Sequence, residues 1–131
     1  MSFKKVRKAH RTENTEDYLE LIADLLYYKK EARIVDIAEK LDVAQATASK
    51  TIKRLKEQKY IIKKPYRSIF LTKKGEMIAS NSKKKHNIVY KFLKNLGVDN
   101  ITASADSEGI EHHVSEKTLD KMKLFNNLKK K

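Results

Sequence analysis

The chain contains no cysteine. Disulfide frameworks, thiolate metal sites and cysteine nucleophiles are therefore excluded, and any metal must be held by oxygen and imidazole. Tryptophan is absent too, and only one proline and three glycines occur in 131 residues. So few breakers predict a mostly helical chain. No stretch approaches the roughly 18 apolar residues of a membrane span. Met1 to Arg11 lacks the apolar core of a signal peptide, so a soluble, cytoplasmic protein with no membrane partner is expected. Nucleophile motifs and phosphate-binding glycine loops are missing as well, and no enzymatic activity is expected.

What is abundant is positive charge. Lys and Arg number 30 against 17 Asp and Glu, a formal net charge of +13. Such a surplus costs self-repulsion and implies a polyanionic partner. Residues 1–13 are basic and lack apolar period; they read as a flexible arm. Asn14-Thr15 is a candidate N-cap for a helix over Glu16–Lys29, with Tyr18, Leu21, Ile22, Leu25 and Leu26 at helical spacing. Ile34, Ile37, Ala38 and Leu41 share a face of a second helix, and Asp42-Val43 breaks the pattern. A third helix is expected over Ala44–Gln58, with Ala48, Ile52 and Leu55 inward. Two such helices joined by a short turn are a helix-turn-helix signature.

The period then changes. Tyr60–Lys64 and Ile69–Thr72, separated by Pro65 to Ser68, read as a hairpin. A hairpin directly after a helix-turn-helix is a wing. The fold class expected is mainly α with a small β-hairpin: a winged helix-turn-helix domain over residues 14–72, then a helical domain over 73–131. That second part is read as a long helix over Lys73–Leu96, stopped by Gly97 in the left-handed conformation. A linker over Val98–Ser104 and helices over Ala105–His113 and Glu116–Lys129 follow. A long helix outside the DNA-binding core needs a partner, and a homodimer is expected.

Between Lys50 and Lys74 the cations are Lys50, Lys53, Arg54, Lys56, Lys59, Lys63, Lys64, Arg67, Lys73 and Lys74, against the single acid Glu57. They fall on the third helix and hairpin, where a winged helix meets DNA, and phosphate neutralisation supplies affinity there. Gln45, Thr47, Ser49, Lys50 and Lys53 are the side chains this helix offers to the major groove, and Arg67 is placed at the wing tip.

Two acid-bearing segments stand out. Asp17 and Glu20, at i and i+3, share a face and read either as ordinary acids near a helix start or as ligands. Glu108, Glu111 and His112, at i, i+3 and i+4, read either as solvated surface or as half a divalent-metal site, to which His86 adds a nitrogen. Such a donor set suits Mn²⁺, Fe²⁺, Zn²⁺ or Co²⁺. His113 points to a neighbouring face and His10 lies in the arm; neither is expected to bind metal.

Several strings together resemble the diphtheria toxin repressor family, and within it the manganese transport regulator branch. They are Thr15-Glu16-Asp17-Tyr18-Leu19-Glu20, Val35-Asp36-Ile37-Ala38-Glu39-Lys40-Leu41, Lys63-Lys64-Pro65-Tyr66-Arg67, Leu71-Thr72-Lys73-Lys74-Gly75 and Glu108-Gly109-Ile110-Glu111-His112-His113. The resemblance runs over about residues 14 to 128. It implies a binuclear cluster at Asp17, Glu20, His86, Glu108, Glu111 and His112, about two Mn²⁺ per chain, joining the DNA-binding and dimerisation domains. It implies a manganese-responsive repressor of metal-uptake genes, metal-activated as a homodimer on a pseudo-palindromic double-stranded operator.

Iron-sensing relatives typically carry Met at the Asp17 position and Cys at the Glu111 position. Carboxylates at both fit manganese, although Fe²⁺ accepts the same ligands. An iron-responsive repressor and a metal-independent winged-helix regulator are the alternative readings. The chain ends after the dimerisation region, as in the manganese branch, so no SH3-like third domain is expected. The recognition helix differs enough from the family's that no operator sequence is carried over.

Overall fold

The computed structural model describes residues 3–65 and 68–130. The elements are α1 (Phe3–Lys29), α2 (Ile34–Leu41), α3 (Gln45–Glu57), β1 (Ile61–Lys63), β2 (Ile69–Leu71), α4 (Lys73–Asn95), α5 (Asn100–Ile110) and α6 (Glu116–Lys129). The chain divides into two compact units, residues 14–80 and residues 81–131 together with 1–13.

In the first unit, one apolar cluster gathers Leu19, Ile22 and Leu25 of α1, Ile37 of α2, Ile52 and Leu55 of α3, and Ile61 and Ile69 of the hairpin. The expected inward stripe of α3, Ala48, Ile52 and Leu55, is buried throughout. On α1, Tyr18, Ile22 and Leu25 are buried as the period predicts, and Leu19 is fully buried beside them.

Both helices of the helix-turn-helix stop without glycine. Asp42 takes the left-handed conformation at φ 54°, as does Lys59 at φ 65°. In each case the two following N–H groups turn back: Asp42 to Glu39 and Val43 to Ala38 after α2, Lys59 to Lys56 and Tyr60 to Leu55 after α3. These crossed bonds satisfy carbonyls that a helix end otherwise leaves open. Asp tolerates this conformation better than a branched residue does, which is why Asp42-Val43 acts as a stop.

The hairpin is antiparallel, with Ile61 opposite Leu71, Ile62 opposite Phe70 and Lys63 opposite Ile69. Ile61 and Ile69 face the core, while Ile62 and Phe70 are exposed. Thr72 ends the wing and caps α4. Its N–H donates to the Tyr60 carbonyl (3.0 Å), and its Oγ1 accepts from Gly75 N–H (3.2 Å). This is the physical meaning of the Leu71-Thr72-Lys73-Lys74-Gly75 string.

In the second unit α6 is fastened to α4. Phe92 and Phe125 meet edge to face at 5.3 Å between centroids. Asn126, buried, donates to the Ile88 carbonyl (3.0 Å) and accepts from Asn95 Nδ2 (2.9 Å). Asn126→Ala removes one partner of each bond. We expect a loss of about 1–3 kcal/mol, read as a lowered denaturant midpoint with unchanged m-value; an unchanged midpoint would show that the two bonds add nothing.

Three expectations are corrected. Residues 3–13 are not an arm: α1 starts at Phe3 and runs unbroken to Lys29, so Asn14-Thr15 is helix interior rather than a cap. The segment is rich in Lys and Arg, good helix formers without an apolar period, and extending a formed helix is far easier than nucleating one. The stretch over Val98–Ser104 is not a linker. Asp99 Oδ2 accepts from Thr102 N–H (3.1 Å), starting α5 at Asn100. That bond holds the Asp99 carboxyl below the usual carboxylate range. Its contribution is therefore present at neutral pH and disappears as pH falls through the lowered value. Finally, α5 ends at Ile110 rather than His113, and residues 111–113 form a turn. The stop at Gly97 is as expected: it sits at φ 98°, and Val98 N–H reaches the Leu93 carbonyl at 3.0 Å.

A candidate nucleic-acid interface and a candidate metal centre

On α3 the inward stripe leaves the opposite face to solvent. Gln45, Thr47, Ser49, Lys50 and Lys53 are all exposed. They occupy the first two and a half turns, the part that enters a major groove in a helix-turn-helix. Arg54 has another task. Its Nη1 donates to Thr15 Oγ1 on α1 and to Gln58 Oε1, both at 3.0 Å, so this cation ties α3 to α1. Lys74 is likewise engaged, its ammonium 4.8 Å from the centroid of the Tyr60 ring. Arg67 and the wing-tip position given to it lie outside the described residues.

In the second unit the ligand candidates converge on the α4–α5 pair. His86 comes from the middle of α4, Glu108 from the last turn of α5, and Glu111 and His112 from the turn after it. His86 Nδ1 lies 2.6 Å from Glu111 Oε2 and 3.7 Å from Glu108 Oε1. Glu111 Oε1 is 3.3 Å from His112 Nε2. Glu111 is 1% exposed and His112 8%, so neither reads as solvated surface. The Glu108 side chain is 64% exposed. It lines an open depression of about 670 Å³ together with His86, Asn87, Tyr90, Asn100 and Ser104. His113 is exposed.

One donor atom each from His86, Glu108 and Glu111 lies within 4.8 Å of the others. Ligands held about 2.0–2.6 Å from one ion are at most roughly 4–5 Å apart, so small shifts bring the three onto a shared cation. Two carboxylates and an imidazole, with no thiolate in the chain, fit a hard or borderline divalent ion. A buried Glu111 carboxylate with a second, exposed carboxylate, Glu108, beside the same imidazole suits a shared cation. Asp17 and Glu20 lie one turn apart on α1, in the winged-helix unit, both half-buried.

Residues outside the donor set steady His86. Its ring is stacked on Tyr90 at 6.2 Å and 12°. Tyr90 OH donates to Asn100 Oδ1 at 3.2 Å. Ser107, fully buried, places Oγ 3.4 Å from His86 Nδ1 while donating to the Ser104 carbonyl. Sequence reading missed all three. The i, i+4 spacing of His86 and Tyr90 was the one available signal.

Comparison with known proteins agrees with this division of labour. Residues 10–69 match the family described as iron dependent repressor, N-terminal DNA binding domain, and residues 72–130 match its metal binding and dimerisation domain. The transcriptional regulator MntR of Escherichia coli is 50% identical over 123 residues, covering 94% of this chain and 79% of that protein. The HTH-type transcriptional regulator MntR of Shouchella clausii is 38% identical over 111 residues, 85% of this chain and 78% of that one. Among solved structures, the manganese regulator SloR superposes with a TM-score of 0.76 at 31% identity. The match covers 86% of this chain but 53% of SloR, so the chain spans about half the length of that regulator. A hypothetical protein from Sulfolobus solfataricus matches over 92% of this chain and 91% of its own, with a TM-score of 0.70 and 25% identity. No helix among the described residues is long and apolar enough to cross a membrane. The chain belongs to the iron-dependent repressor family, with a winged-helix DNA-binding domain followed by a metal-binding and dimerisation domain.

Proposed function

We propose that the protein is a manganese-responsive transcriptional repressor of metal-uptake genes, active as a homodimer on a pseudo-palindromic operator. The observation that carries this reading is the meeting of Glu108 and Glu111 with His86 in a cysteine-free chain. Asp17, Glu20 and His112 are assigned as further ligands, for about two ions per chain; the family resemblance supports them. A bound Mn²⁺ supplies positive charge that holds carboxylates and imidazole in one fixed geometry. Glu108 and Glu111 then bind α5 to His86 of α4, and Tyr90 and Ser107 limit how far the imidazole turns. Gln45, Thr47, Ser49 and Lys50 read base edges, Lys53 neutralises phosphate, and two copies address half-sites about 34–36 Å apart.

Activation by metal is a coupling free energy and must be reciprocal. The test is a Mn²⁺ titration of metal-free protein, with and without a duplex recovered by selection from a random pool. Mn²⁺ should bind more tightly with the duplex, by the same factor that Mn²⁺ tightens duplex binding. Equal Mn²⁺ affinity in both titrations would overturn the mechanism.

The family's description as iron dependent favours a second reading, an Fe²⁺ sensor. Anaerobic competition between Fe²⁺ and Mn²⁺ separates the two, since carboxylates and imidazole accept both.

The recognition helix carries its own prediction. Lys50→Gln with Lys53→Gln should reduce the slope of log K against log salt by about 0.9 for each phosphate no longer neutralised. An unchanged slope would place these lysines away from DNA.

A further inference from the structure

The C-terminal end of α1 leaves an aromatic pair in water. Tyr27 is 71% exposed and Tyr28 75%, with ring centroids 4.8 Å apart in an edge-to-face contact. A single exposed apolar ring calls for no explanation, but a paired aromatic patch does. Lys29, Lys30 and Arg33 follow it closely in the chain, and all three are exposed. The acid among them, Glu31, is engaged by Arg33 at 3.2 Å. Lys30 turns the chain in the left-handed conformation, its ammonium 3.3 Å from the Tyr27 carbonyl and 5.9 Å from the Tyr27 ring centroid. It thereby offsets the partial negative charge that a helix C-terminus presents to an anion.

This edge is joined to the wing. Ala32 N–H donates to Ser68 Oγ at 2.7 Å, and Ile69 N–H donates to the Ala32 carbonyl at 2.9 Å. Ala32 thus pairs with the first residue of β2, beside the wing's turn, like the start of a third strand. The aromatic–basic edge is therefore continuous with a hairpin that carries Lys63 and Lys64.

We propose that Tyr27, Tyr28, Lys29 and Lys30 form a second contact to the DNA backbone, beside the wing and separate from the recognition helix. The tyrosine hydroxyls donate to phosphate oxygens, the rings lie against sugar, and the ammonium groups neutralise phosphate. Phosphate is favoured over a protein partner by charge: Lys30 lies against the Tyr27 ring, Lys29 and Arg33 are close in sequence, and the chain has a net charge of +13. The inference rests on the DNA-binding reading of the winged helix and deepens it.

The test uses the full chain with Mn²⁺ and a random-sequence duplex of about 40 base pairs, roughly four helical turns. Lys29→Gln/Lys30→Gln should lower the salt slope by about 0.9 for each phosphate that is no longer neutralised. Tyr27→Ala/Tyr28→Ala should weaken binding roughly 2- to 10-fold at unchanged slope, as expected when hydrogen bonds from a neutral donor are removed. On a duplex recovered by selection, hydroxyl-radical footprinting of the tyrosine variant should show reduced protection of sugars outside the recognition-helix footprint. Tyr27→Phe/Tyr28→Phe, which keeps the packing, should show the hydroxyl part of that weakening. Lys53→Gln serves as the reference. Weakened binding for Lys53→Gln alone, with both double variants unchanged, overturns this contact and leaves DNA binding by α3 standing. No duplex binding by the parent chain overturns the DNA reading itself. A change in oligomeric mass of the tyrosine variant at unaltered DNA affinity assigns the patch to protein contact instead, and the proposal falls.

Discussion

Exchanging Glu111 for glutamine should weaken Mn²⁺ binding by at least the 10- to 100-fold that loss of a mere supporting residue costs a metal site. Glutamine keeps the shape of the side chain and removes its charge, so the change separates ligation from packing. Glu111 approaches both His86 and His112, at 2.6 and 3.3 Å, and is 1% exposed. No neighbouring water can replace it without rearranging the turn after α5. Glu108→Gln should cost less, because the Glu108 side chain is 64% exposed and solvent can fill its place. Electron paramagnetic resonance of free Mn²⁺ during titration of the metal-free variants gives both numbers. Circular dichroism confirms that helices remain. Glu111→Gln binding Mn²⁺ as tightly as the parent chain removes this cluster from the metal site. Duplex binding by the metal-free variants should match that of the metal-free parent, since neither residue lies on the winged-helix unit.

The second large effect belongs to Gly75. A Cβ built there falls well inside van der Waals contact with the carbonyl oxygen of Tyr60. That oxygen is backbone, and it already accepts the N–H of Thr72 that closes the wing at 3.0 Å. Neither partner can swing away as a flexible side chain does. Gly75→Ala must therefore displace either the first turn of α4 or the base of the hairpin. We expect a loss of about 3 kcal/mol or more, in the range that marks forced overpacking and broken backbone bonding. Gly97→Ala and Gly109→Ala provide contrast, because nothing lies within 4 Å of an added Cβ at either position. Gly97 would still carry strain at φ 98°. Gly109, an open position inside α5, should tolerate or gain from alanine. Thermal and denaturant unfolding of the three variants should rank them Gly75 worst, Gly97 next and Gly109 least affected. A Gly75→Ala protein as stable as the parent would mean that the α4–wing junction yields more readily than this packing allows.

Much of the first unit was legible from local patterns. The spacing of Ile34, Ile37, Ala38 and Leu41, then of Ala48, Ile52 and Leu55, predicts two short helices with one buried face each. Buried faces follow from period because each helix has one core to face. The switch to Tyr60–Lys64 and Ile69–Thr72 predicts the hairpin for the same reason at period two. Residues 3–13 and 99–104 escape such a reading because they lack apolar period. A helix is carried there by propensity and by a cap such as Asp99, neither of which alternates.

By itself, the sequence determined the chemistry: no thiolate, a carboxylate-rich donor set, a cation excess on the third helix and hairpin, and the order of helices and wing. These are properties of composition and of neighbours a few positions apart. Tertiary structure alone decided which donors meet. His86 and Glu111 stand 25 residues apart yet share a 2.6 Å contact. It also turned Arg54 towards Thr15, brought Tyr90 and Ser107 against His86, and joined Ala32 to the wing. Such pairings depend on how helices pack across long stretches of chain, and no local period encodes that distance.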